Sequence, residues 1–92
     1  MTEEKILTKH PLGKSGRNIN KLTYDLFKTA ITKALKEKEL THNELFEALN
    51  KNLKGKFSGN INWYGETLKL DLEARKIIER TKDKPQKYKF IK

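Results

Sequence analysis

Residues 60–92, NINWYGETLKLDLEARKIIERTKDKPQKYKFIK, change their periodicity partway along, and that change limits the fold more than any other feature. Ile61, Tyr64, Leu68 and Leu72 recur at helical spacing and line one face of about three turns. Asn60 precedes them, where an Asn side chain accepts a backbone N–H that the first turn leaves unpaired. After Arg75 the period falls towards two. Ile77–Arg80 and Tyr88–Ile91 read as short strands, and the polar stretch Lys82–Gln86, with Pro85, reads as a hairpin tip. A helix running directly into a basic hairpin therefore forms the back half of the molecule.

The front half supplies two more helices. The first is expected from about Lys21 to Glu39, capped by Asn20, with Tyr24, Phe27, Ile31, Ala34 and Leu35 on its inner face and Lys28, Lys33 and Lys36 on a solvated one. The second has the clearest start in the chain. Thr41-His42-Asn43-Glu44 is a capping box, and Leu40 and Leu45 flank it as a hydrophobic staple. Leu45, Ala48, Leu49 and Leu53 form its buried stripe, and Gly55 suits the left-handed residue beyond its last turn. The linker KGKFSG leads to the third helix, with Phe57 packing beneath it. A short third strand near Leu40 joins the hairpin. The fold class read from these elements is α+β, a three-helix winged helix-turn-helix with a C-terminal β-hairpin wing over residues 20–92.

Residues 1–19 read as a partly irregular N-terminal arm, with turns at Gly13 and Gly16 and with Ile19 packed onto the core. Gly13-Lys14-Ser15 is not a phosphate loop, because Thr8 stands where that motif needs its first glycine. Lys9, Lys14 and Arg17 extend a basic surface. His10 and His42 have no ligand partners at metal-binding spacing, so no metal or cofactor is expected. No carboxylate pair or nucleophile–histidine spacing stands out, and an enzyme is not expected.

Ninety-two residues make one domain, and the absence of cysteine removes disulfide and thiolate chemistry. No run resembles a signal peptide or a membrane span, which points to a cytoplasmic protein without a membrane partner. Net charge is +9, and it is uneven. Residues 1–50 carry nine Lys or Arg against seven Asp or Glu, whereas residues 51–92 carry twelve against five. Concentrating the excess beside one helix and a hairpin suits a polyanion. Eighteen of the 21 basic residues are Lys, which a lysine-rich surface without any polyanion partner also explains.

In a helix-turn-helix the second helix of the motif enters the major groove of DNA. Burying Ile61, Tyr64, Leu68 and Leu72 turns Asn62, Glu66, Thr67, Lys69 and Leu70 towards the other faces, with Asn62, Thr67 and Lys69 as candidate base contacts. Trp63 either completes the core beside the arm or sits half exposed against the nucleic-acid backbone. Lys54, Lys56, Lys82, Lys84, Lys87 and Lys89 are the candidate phosphate contacts, which position a protein without specifying sequence. Glu66, Asp71 and Glu73 argue against a strong reader, since only one cation, Lys69, accompanies them between residues 61 and 74.

LDLEARKIIER, followed by a polar turn and YKFIK, resembles the helix-to-wing junction of bacterial winged-helix regulators, with Leu72, Glu73, Arg75, Ile77, Ile78, Glu79 and Arg80 matching. It departs at Lys76, where those proteins commonly carry a left-handed glycine. HPLGKSG and NWYGETLKLDLEAR are also similar to a small bacterial family of stand-alone winged-helix proteins without assigned function, over about residues 10–92. The resemblance implies a non-enzymatic double-stranded DNA-binding module in transcriptional regulation. The alternative is a protein-interaction adaptor on the same scaffold, with an exposed patch at Trp63, Tyr64 or Leu70; RNA binding is weaker, for want of an aromatic stacking platform. A monomer, or a weak homodimer through the first helix, is expected.

Overall fold

The computed structural model describes residues 4–10, 12–13, 16–57 and 59–91. Its elements run β1 (Lys5–Leu7), β2 (Asn18–Asn20), α1 (Lys21–Glu37), β3 (Leu40–Thr41), α2 (His42–Leu53), α3 (Ile61–Ala74), β4 (Ile78–Arg80) and β5 (Lys87–Phe90). The three helices and the C-terminal hairpin are the α+β fold expected from the sequence. The strand order of the larger sheet is β3-β5-β4, antiparallel throughout, so β3 is the third strand anticipated at Leu40. Lys14, expected to extend the basic surface, lies outside the described residues, as does the C-terminal Lys92.

All three helices begin on side-chain caps. Asn20 Oδ1 accepts from Leu22 N at 2.8 Å and Asn60 Oδ1 from Trp63 N at 2.9 Å. The capping box at α2 is complete, with Glu44 N donating to Thr41 Oγ1 and Thr41 N to Glu44 Oε1. Helix α1 ends two residues earlier than periodicity suggests, at Glu37, because Lys38 is already extended and leads into β3.

The core is one cluster. Phe27, Ile31, Leu45, Leu49, Leu68 and Leu72 are fully enclosed where the three helices meet, and Ile78 and Tyr88 join them from the wing. Burying side chains of this size contributes about 1.5–3 kcal/mol each. Phe57 packs edge-on against Phe27 and Tyr64, at 5.0 and 5.1 Å, and anchors the α2–α3 loop. Gly65 lets α2 and α3 approach closely, since a Cβ there would sit 3.0 Å from both Leu49 and Phe46.

The arm is more ordered than its sequence suggests. β1 and β2 pair in register Lys5↔Asn20, Ile6↔Ile19 and Leu7↔Asn18, and β2 runs without a break into α1. Thr8 closes the ladder: its N–H donates to Arg17 O at 2.9 Å, and Arg17 N donates back to Thr8 Oγ1 at 2.8 Å. Gly16 is required there, because a Cβ would fall 1.7 Å from the Thr8 carbonyl oxygen.

Candidate nucleic-acid interface

Helix α3 lies between the wing on one flank and the arm on the other. On the arm flank, Asp71 is fully buried at an all-polar junction. Its carboxylate accepts from Lys9 N at 2.8 Å, from the Tyr24 hydroxyl and from Arg75 Nε at 3.0 Å. Burial first, and then the bond to Asp71, push the Tyr24 phenol well above its ordinary value. Burial works against the charge on Arg75, but the hydrogen bond and charge of Asp71 outweigh it and raise its pKa.

On the wing flank Lys69 is enclosed, only 2 % exposed. Its ammonium donates to the Tyr88 hydroxyl at 3.0 Å, lies 3.2 Å from His42 Nδ1, pairs with Glu66 at 3.2 Å and sits 4.6 Å from the centre of the Tyr88 ring. This corrects the expectation that Lys69 is an outward base contact. On the helical wheel it lies four residues after Gly65 and three before Leu72, both buried, so the core-facing stripe is wider than the four apolar residues that defined it. The signal was present in that spacing, whereas the identity of Lys as a cation concealed it.

The other expected base contacts divide. Asn62 is exposed, and its Oδ1 accepts from Asn50 of α2 at 3.0 Å, which leaves its amide N–H groups to donate. Thr67 is half-buried, bonds back to Trp63 O at 2.9 Å and faces the arm. Asn62 and Glu66 border a groove of about 640 Å³ between α2 and α3, floored by Phe46 with His42 stacked on it at 4.4 Å. Trp63 is 45 % exposed and packs edge-to-face on Tyr64 at 4.9 Å, which corrects the expectation that it completes the core beside the arm.

Each carboxylate of α3 is paired with a cation: Glu66 with Lys69, Asp71 with Arg75 at 3.0 Å and Glu73 with Arg80 at 2.9 Å. The Glu73 hydrogen bond raises the Arg80 pKa. Among the candidate phosphate contacts, Lys89 bridges to Glu79 across the hairpin at 3.0 Å, and Lys56 lines a hollow against α1. Lys54, Lys82, Lys84 and Lys87 have no ion-pair partner among the described residues, and all but the half-buried Lys87 are exposed.

Among the described residues no group of three His, Cys, Asp or Glu side chains comes together to hold a metal, and no helix is long and apolar enough to cross a membrane. A family model matches residues 5–88, and its description is a family of unknown function (DUF6958). No curated protein and no solved structure matches the chain.

Proposed function

The chain belongs to this family of unknown function, and we propose that it is a non-enzymatic double-stranded DNA-binding module. The α3 strip formed by Asn62 and Glu66 faces the major groove, and the wing lies on the phosphate backbone. The observation that carries this reading is the pairing pattern. The acidic side chains of α3 are each neutralised within the fold, while Lys54, Lys82, Lys84 and Lys87 remain available. Repulsion between α3 and DNA is thereby reduced without using the wing-tip cations. Because Lys69 is enclosed, base reading falls to Asn62, and phosphate contacts dominate affinity. A role in transcriptional regulation follows from the resemblance of the helix-to-wing junction.

The test is a titration of mixed-sequence duplex DNA, read by anisotropy across a salt series. Four phosphate contacts give a slope of log affinity on log salt of about −3.6, so binding weakens about a hundredfold between 50 and 200 mM salt. Lys84→Ala lowers the steepness by about 1 and weakens all sequences alike. Lys69→Met weakens binding, because Glu66 on the groove-facing strip loses the cation that neutralises it. Absence of binding at low salt overturns the proposal, as does an unchanged slope in a Lys82→Ala, Lys84→Ala, Lys87→Ala triple variant. The half-exposed Trp63 favours a second reading, the protein adaptor, and failure of the duplex titration turns attention to it.

A further inference from the structure

The hollow between the arm and α3 combines charge, aromatic surface and rigidity in a way no other part of the described surface does. It measures about 250 Å³ and opens beside Trp63, Thr67 and Leu70 of α3, with Lys9, His10 and Arg17 on the opposite wall. The indole is fixed on one side by Tyr64 and is 45 % exposed. Lys9 and Arg17 are exposed and have no ion-pair partner among the described residues. Asp71 does not cancel their charge, because its carboxylate is fully buried and already held by Arg75, Tyr24 and the Lys9 N–H. The reciprocal Thr8–Arg17 bonds and the close approach at Gly16 hold the arm wall in place.

We propose that this hollow is a single-nucleotide pocket, which stacks one unpaired base on Trp63 and places its phosphate against Arg17 and Lys9. The choice of ligand follows from the lining. An apolar ligand leaves two cations unmatched, and inorganic phosphate leaves the indole uncovered. A nucleoside phosphate satisfies both, by stacking and by charge-assisted hydrogen bonds. The volume lies near the lower limit of about 300 Å³ for small-molecule sites, which admits one nucleotide and not a stacked pair. The pocket stands independently of duplex binding, since it lies on the flank of α3 away from the wing.

Trp63 is the only tryptophan in the chain, so its fluorescence reports on the pocket directly. Thymidine monophosphate is expected to quench it with half-saturation at about 1 mM, thymidine less strongly, and inorganic phosphate not at all. A short single-stranded oligothymidylate distinguishes the source. Binding at least about tenfold tighter than the mononucleotide assigns the pocket to a strand, and equal binding assigns it to free nucleotides. Arg17→Gln and Lys9→Gln each weaken the response roughly fivefold. Both substitutions keep the backbone bonds to Thr8 and Asp71, so the arm stays in place and far-UV circular dichroism verifies it. Quenching by inorganic phosphate alone, or an undiminished response in both folded variants, overturns the proposal. So does no response up to about 10 mM nucleotide. The duplex titration reads the wing and this one reads Trp63, so each can fail without the other.

Discussion

Lys76 has φ 62°, in the left-handed region where a Cβ crowds the backbone and glycine does not. It is held there by the end of α3. Lys76 N donates to Glu73 O at 3.0 Å and Ile77 N to Leu72 O at 2.9 Å, the paired bonds of a Schellman cap. The resemblance to winged-helix junctions implied this geometry, and the chain keeps it with a lysine. Lys76→Gly therefore stabilises the fold by about 1 kcal/mol. In a domain of this size that raises the melting temperature by about 4–8 °C, readable by calorimetry. An unchanged or lowered melting temperature would show that the lysine has compensating contacts. Gly55, at φ 81°, holds the matching position after α2 and is already the unstrained choice.

The capping box of α2 shows what a short motif contributes to one element. The Thr41 N–H bond, followed by the bond from its hydroxyl, lowers the Glu44 pKa. A lowered folded value means that the contribution of Glu44 is present above about pH 4.5 and is lost as pH falls below it. Thr41→Ala removes the hydroxyl and costs about 1 kcal/mol at neutral pH. The difference between wild type and variant narrows in acid, where the Glu44 carboxylate no longer accepts from the hydroxyl, as urea titrations at pH 7 and pH 3 should record; a constant difference means that the Thr41 hydroxyl makes no bond to that carboxylate. Caps, periods and the third strand were legible because each is written in neighbouring residues: Asn20, Thr41 and Asn60 cap the helices as read. The three-residue strands β1 and β2 were not, since nothing local distinguishes Lys5–Leu7 from irregular chain. They form because Ile19 is buried and Thr8 locks the ladder. The inward Lys69 was legible only in part: its spacing puts it on the buried stripe, but the Tyr88 hydroxyl that receives its ammonium lies 19 residues away.

Across the whole molecule, Asp71 joins the arm, α1 and α3 through contacts 62, 47 and 4 residues apart in the chain. A hydrophobic pattern cannot show such a junction, because a carboxylate on the buried side of a helix reads as solvated until its donors are in place. Its removal should therefore act at long range. Asp71→Ala leaves the Tyr24 hydroxyl and part of the Arg75 charge without an acceptor, at a cost of about 3 kcal/mol. Tyr24→Phe removes one donor and leaves the carboxylate with Lys9 and Arg75, for about 1 kcal/mol. Amide exchange separates a local effect from a global one. In Asp71→Ala the Lys9 and Thr8 amides exchange much faster than those of α2 and the wing, and the response of Trp63 to nucleotides is lost with the arm wall. In Tyr24→Phe the arm amides stay protected. Alkali gives a second view of the junction. The Tyr24 pKa is raised, so its stabilising contribution is complete below about pH 10 and declines as pH rises above that value. Tyr24→Phe should flatten that decline. If the arm amides stay protected in Asp71→Ala as well, the arm is held by β1–β2 pairing alone, and Asp71 is a local partner of Arg75 with no hold on the arm.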